Sequence, residues 1–268
     1  MSIAPASLKR TPPLENGDHL TSDEFHRRYE AMPEDVRAEL IEGIVFMSCP
    51  MPIAGYSQAS RSGIPPLENG DHLSDEEFER RYTAMPSVKA ELIDGVVYMA
   101  SPVRTDVHAT PHARLITWLG TYALDHPGVE VGDNGTLRLG TGKMPQPDGF
   151  LYYEAGQSRI TEKGYIEGGP ELVLEISAST ASFDLHEKKN MYQTARVREY
   201  IVWRVFDDEL DWFVLRNGVY QRIEADEAGM VESEVFPGLR MNVKELLAGN
   251  YAAALREPMG FSIPPEAN

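Results

Sequence analysis

Two acids stand out for their surroundings. Asp148 follows Pro147 at the head of an apolar run, DGFLYY, and Glu175 interrupts another, LVLEIS. A carboxylate inside an apolar strand is costly to bury without a partner or a metal. If the two strands are neighbours, the carboxylates face one another and can hold a hard divalent cation. Mg²⁺ is the natural candidate, because it takes oxygen ligands and retains water. Such an ion lowers the pKa of an attacking water and stabilises the charge that develops as a phosphodiester is cleaved. Taken singly, each residue has an ordinary structural role: a strand cap for Asp148, an edge salt bridge for Glu175. The joint pattern is what points to chemistry. His108 and His112 fall at i, i+4 on a predicted helix, but with His186 they do not make a zinc triad by spacing.

The elements that must position these acids are legible in outline. The stretch PPLENGDHL occurs at Pro12–Leu20 and again at Pro65–Leu73, within a tandem duplication of roughly forty residues. One duplication is too few units for a solenoid, which needs at least three to bury a continuous core. Each unit predicts a short amphipathic helix, a Met-Pro break, and a hairpin turning at Glu42-Gly43 or Asp94-Gly95. The first unit runs into Ser48–Gly63, SCPMPIAGYSQASRSG, which has the composition of a linker, whereas the second continues directly into the rest of the chain. A helix is predicted from about Asp106 to Asp125 and ends at His126-Pro127-Gly128. ELVLEIS predicts a central strand buried on both faces. Asp184-Leu-His-Glu187 fits a capping box opening a helix that carries Lys188 and Tyr192 one turn apart. REYIVWRV, DWFVLR and VYQRI predict strands with a tight turn at Asn217-Gly218, and Val243–Leu255 predicts a closing helix. The order argues for a mixed α/β (α+β) sheet covered by helices. The expected organisation is an appendage and linker at 1–63, one domain at 64–256 and a tail at 257–268.

Composition narrows the function. The net charge of −17 argues against a surface built broadly for polyanions, though not against a local basic groove. No apolar run is long enough to span a membrane or serve as a secretory signal, and the single cysteine, Cys49, cannot form an internal disulfide. A cytoplasmic protein is therefore expected.

From about Leu73 to Leu247 the chain resembles the Uma-type restriction endonuclease family, a branch of the PD-(D/E)XK nuclease superfamily. AELIDGVVYMASP, QPDGFLYY, GGPELVLEISAST, DLHEKKNMY, VREYIVW and FPGLRM carry the resemblance, in that order. It implies a restriction-endonuclease-like core, a mixed sheet flanked by helices, and Mg²⁺- or Mn²⁺-dependent hydrolysis of DNA. Asp148 and Glu175 match the motif acids and would be the metal ligands. Glu91, in ELIDG, matches the N-terminal glutamate near the site. The superfamily pattern has lysine two residues after the second acid, where this chain has Ser177, so the resemblance transfers the role to Lys188 on the following helix. Lys189 is the competitor, but helical geometry rotates it away by about 100°. Gln146, Ser177, Tyr192 and His108 are supporting candidates around these four. Cutting two strands with one site per chain calls for two chains, so a homodimer is implied.

Two further readings compete: a non-catalytic binding module that keeps the fold, and a hydrolase of small phosphate esters. Convergence of Glu91, Asp148, Glu175 and Lys188 in one cleft separates the enzyme from the binding module. The second unit delivers Glu91 towards the other candidates. The first is expected to be loosely packed and dispensable for folding, unless it displaces the second, or swaps between chains, and offers Glu39 instead.

Overall fold

The computed structural model describes residues 11–15, 17–32, 38–47, 64–85, 88–99, 105–177 and 181–255. The Ser48–Gly63 linker, Cys49 and the tail at 257–268 lie outside them. No helix among the described residues is long and apolar enough to cross a membrane.

Both repeated units fold as a helix followed by a hairpin. The first comprises α1 (Ser22–Tyr29), β1 (Ala38–Ile41) and β2 (Ile44–Met47); the second α2 (Asp75–Thr83), β3 (Ala90–Ile93) and β4 (Val96–Met99). The local cause is the same in each. Thr21 and Ser74 cap the helices by accepting from the N–H groups of Glu24 and Glu77, and those glutamates hold two arginines one turn on. The hairpins turn at Glu42-Gly43 and Asp94-Gly95, where both residues of each pair have positive φ, as a two-residue type I′ turn requires. Each unit buries its own apolar cluster, around Phe25 and Val45 in the first and Phe78, Leu92 and Val97 in the second.

The chain continues through a π-helical turn (Thr105–Ala109) into α3 (Thr110–Asp125), and then builds a six-stranded sheet. Its strands are β5 (Val129–Gly132), β6 (Gly149–Tyr153), β7 (Leu172–Ser177), β8 (Glu199–Arg204), β9 (Glu209–Arg216) and β10 (Val219–Arg222), in the spatial order 10-9-8-7-6-5. Every neighbouring pair is antiparallel except β7 and β8. A parallel pair cannot be closed by a hairpin and needs a crossover over one face of the sheet. Here the crossover is α4 (Ala181–Phe183), a π-helical turn (Asp184–Lys188) and α5 (Lys189–Thr194). ELVLEIS is thus the predicted central strand, buried along its whole length. Leu172, Leu174 and Ile176 face a core shared with Leu115, Trp118 and Leu119 of α3. Val173 faces the opposite core, which the crossover covers with Phe183, Met191 and Tyr192. By the two-residue period of a strand, Glu175 and Ser177 share that second face.

Two predicted helices differ in detail. Asp184 does not open a capping box: the helical segment begins at Ala181, and Asp184 lies inside it, with its carboxylate buried beside Lys188. The closing helix is broken into α6 (Val243–Leu247) and α7 (Tyr251–Leu255), because Gly249 takes φ +81°, outside the helical region.

A buried acid unrelated to the candidate site pins the sheet to its C-terminal flank. Glu199 accepts from Trp212 Nε1, the Ser233 hydroxyl, and the N–H groups of Glu234 and Val235. Burial pushes its carboxyl up, and these donors oppose that shift. Glu199→Ala would leave the Trp212 Nε1–H and the Ser233 hydroxyl without this acceptor in the interior and would take one acceptor from the Glu234 and Val235 N–H groups. The expected cost is about 3 kcal/mol, a fall in Tm of roughly 10 °C, read by thermal or urea unfolding.

Candidate active site

The topology supplies the convergence. Asp148 immediately precedes β6, and β6 pairs with β7 in the register Gly149↔Leu174, so Asp148 and Glu175 lie beside each other on adjacent strands. The Asp148 N–H points to Glu175 Oε2 at 3.5 Å, and Asp148 Oδ2 accepts from the Ile176 N–H at 2.8 Å. The crossover between the parallel strands passes over the face that carries Glu175. It delivers Lys188, whose Nζ is 3.1 Å from Glu175 Oε1, and Tyr192, whose hydroxyl donates to the same oxygen at 2.9 Å.

Glu91 enters from β3 of the second unit, its Oε2 3.1 Å from Lys188 Nζ. Its other oxygen accepts from the Gln146 N–H at 2.7 Å. Asp184 completes the surroundings of the ammonium at 3.9 Å. Asp148, Glu175, Asp184 and Lys188 are all buried.

The predicted four therefore converge. Glu39 is exposed on β1 of the first unit, and Glu91 is the glutamate beside Lys188. Lys189 sits elsewhere, its ammonium 3.7 Å over the Phe213 ring. Of the supporting candidates, Tyr192 holds Glu175, and His108 Nε2 lies 3.2 Å from Asp148 Oδ2. Gln146 touches the cluster through its main chain, because its side-chain amide donates to the Tyr82 hydroxyl and Thr136 Oγ1. Ser177 is buried at the end of β7, where its carbonyl accepts from the Val205 N–H. Sequence reasoning did not include Asp184 in the cluster; its i, i+4 spacing to Lys188 was the available signal. His112, stacked on His108 at 5.9 Å, contacts the Asp148 carbonyl at 2.8 Å.

Charge in the cluster is unbalanced. Burial alone would lower the Lys188 pKa, but Glu175, Glu91, Asp184 and Asp148 outweigh it and hold the ammonium well above its ordinary value. One cation cannot neutralise those acids. Burial therefore pushes Glu175 up to about 8 despite Lys188, with Asp184, Asp148 and Glu91 adding to the rise. Burial also raises Asp148, but the His108 hydrogen bond and charge, then Lys89 and the Ile176 N–H, bring it below its ordinary value. His108 shows the reciprocal shift: burial lowers it, and Asp148 raises it further.

Among the described residues no three His, Cys, Asp or Glu side chains are grouped to hold a metal by themselves. The two adjacent carboxylates and the surplus of buried negative charge fit a divalent ion that keeps part of its water shell. They do not fit a closed structural zinc centre, which takes four protein ligands.

No curated protein matches the sequence. A solved structure described as "a putative nuclease belonging to DUF820", from Anabaena variabilis ATCC 29413, is similar at a TM-score of 0.47 and 12% identity, over 59% of this chain and 89% of that one. The model of the Uma2 family, described as "Putative restriction endonuclease", matches residues 75–244, from the first residue of α2 into α6, and leaves the first unit outside. Through that span the chain belongs to the Uma2 family.

Proposed function

We propose that the protein is a metal-dependent endonuclease that hydrolyses DNA phosphodiester bonds, with Asp148 and Glu175 holding Mg²⁺ or Mn²⁺. The observation that carries this reading is the buried carboxylate pair on adjacent strands with Lys188 against it. A divalent ion bound there supplies Lewis-acid stabilisation of the phosphoryl oxygens and a more acidic water. Lys188, fixed between Glu91 and Glu175, orients the attacking water and meets the negative charge that develops on phosphorus-bound oxygen. Tyr192 and the Gln146 N–H position Glu175 and Glu91, and His108 with the Ile176 N–H fixes Asp148. The water loses a proton to solvent as its oxygen forms a bond to phosphorus and the bond to the leaving sugar oxygen breaks, and that oxygen takes a proton from solvent. DNA is the substrate, a homodimer supplies the second cut of a duplex, and the setting is cytoplasmic. The domain at 64–256 contains every residue of this machinery.

The test is nicking of supercoiled plasmid and of circular single-stranded DNA in Mg²⁺, Mn²⁺ and EDTA. Cleavage in either metal, none in EDTA, and a metal-dependent rise in Tm are expected. No cleavage of any DNA form together with an unchanged Tm would sink the reading.

A further inference from the structure

The repeated stretch provides an internal control, because the same loop occurs in two environments. In the first unit the Gly17 N–H donates to the Val45 carbonyl, the Val45 N–H to Asp18, and the Leu20 N–H to Gly43. In the second, Gly70, Val97, Asp71, Leu73 and Gly95 repeat the pattern. Asp18 Oδ2 accepts from the Glu15 N–H and faces Arg28, as Asp71 Oδ2 accepts from the Glu68 N–H and faces Arg81. The loops are built alike, yet their exposure differs. The Asp71 side chain is 28% exposed and the Asp18 side chain 0%. His72 and Glu68 are exposed, whereas His19 and Glu15 are half-buried.

What covers the first loop is the crossover that carries Lys188. A Cβ built on Gly17, at φ +82°, would lie 3.0 Å from the Phe183 ring, so the backbone rests directly on that side chain. His19 Nε2 is 2.7 Å from Glu187 Oε1, and its ring stacks on His186 at 6.1 Å. Phe183 in turn lies against the candidate site, its ring centroid 6.0 Å from the Lys188 ammonium, so a single side chain separates the loop from that lysine. A separate contact anchors the unit: Asn69 of the second unit donates to the Met47 carbonyl and accepts from the Met99 N–H, and Phe46 packs on Gly70.

We propose that the Phe183–Glu187 face of the crossover is a docking surface occupied in cis by the Gly17–His19 loop, and that DNA must displace this loop to reach the candidate site. The inference rests on the nuclease reading. The loop suits a releasable cap because its docking is costly. Asp18 Oδ1 is buried and meets no donor among the described residues, and burial pushes that carboxyl up to about 8 against the pull of the Glu15 N–H and Arg28. The anchor at Asn69 allows the loop to leave while the unit stays tethered.

The experiment uses the full chain and a fluorescein-labelled DNA duplex, in Ca²⁺ in place of Mg²⁺ so that binding is read without hydrolysis. Amide hydrogen exchange over residues 17–20 and 183–194 is followed in parallel. His19→Glu sets two carboxylates against each other; exchange should rise in both segments and the duplex should bind about fivefold tighter, although the protein has become more acidic. Adding Glu187→Arg to His19→Glu restores the pair and should return both readouts towards wild type, although the change adds positive charge. Asp18→Asn removes the buried carboxylate; exchange should fall and the duplex should bind more weakly, again against the simple charge effect. Unchanged exchange in His19→Glu overturns the docking surface. Raised exchange with unchanged or weaker duplex binding overturns the cap while the nuclease reading stands. No duplex binding by any variant, with exchange reporting release, overturns the nuclease reading and the competition with it.

Discussion

Asp148→Asn is expected to reduce metal-dependent DNA cleavage by a factor of about 10² to 10³ while the protein stays folded. The asparagine carbonyl oxygen can still accept from the Ile176 N–H, which donates to Asp148 Oδ2 at 2.8 Å, so the junction between β6 and β7 keeps its hydrogen bond. What is lost is the negative charge and, on the proposed reading, one of two metal donors, and preorganised charge of this kind is worth factors of 10² to 10³ in rate, roughly, for a single group. The metal-dependent rise in Tm should vanish in the variant, whereas Tm in EDTA should change little. Cleavage rate and Tm with and without Mg²⁺ check this together. A variant that keeps more than about a tenth of the wild-type rate would show that Asp148 is not a ligand of the catalytic ion.

Lys188→Met should fail in a different manner, losing stability as well as activity. The ammonium lies 3.1 Å from both Glu91 and Glu175 and 3.9 Å from Asp184, inside the protein. Removing it strands buried carboxylates against one another, and breaking a buried ion pair from one side costs about 3–5 kcal/mol. Adding Glu175→Gln removes the acid that burial pushes up to about 8, so the double variant should be more stable than Lys188→Met alone, though still inactive. Unfolding of the wild type, both single variants and the double variant forms a double-mutant cycle. Additive losses would mean that Lys188 does not compensate Glu175, and would remove the physical basis for its place in the site.

The parts legible in the sequence were those set by local chemistry. The short helices of the two units, the turns at Glu42-Gly43, Asp94-Gly95 and Asn217-Gly218, and the apolar run of β7 follow from neighbouring residues alone. The choice of Lys188 over Lys189 was also local, because the 3.6-residue period places Lys188 and Tyr192 on one face and both reach Glu175. Asp184 shows where such reasoning fails. An acid three residues before a glutamate has the pattern of a cap, but a cap needs the helix to begin there. This one begins at Ala181 and turns Asp184 inward to a lysine.

The sequence by itself determined which acids needed compensation, since a carboxylate in an apolar strand is costly wherever the strand lies. It also determined that two copies of one unit would fold alike, because each carries its own caps, turn and apolar cluster. Only the tertiary structure decided what those groups would meet. The parallel pairing of β7 with β8 forces the crossover over the Glu175 face and so brings in Lys188, and pairing of that kind depends on contacts between distant parts of the chain. It decided equally that Asp18 is covered and Asp71 is not, although the residues around them in the PPLENGDHL stretch are identical. Burial belongs to what packs against a segment, and no reading of that segment alone contains it.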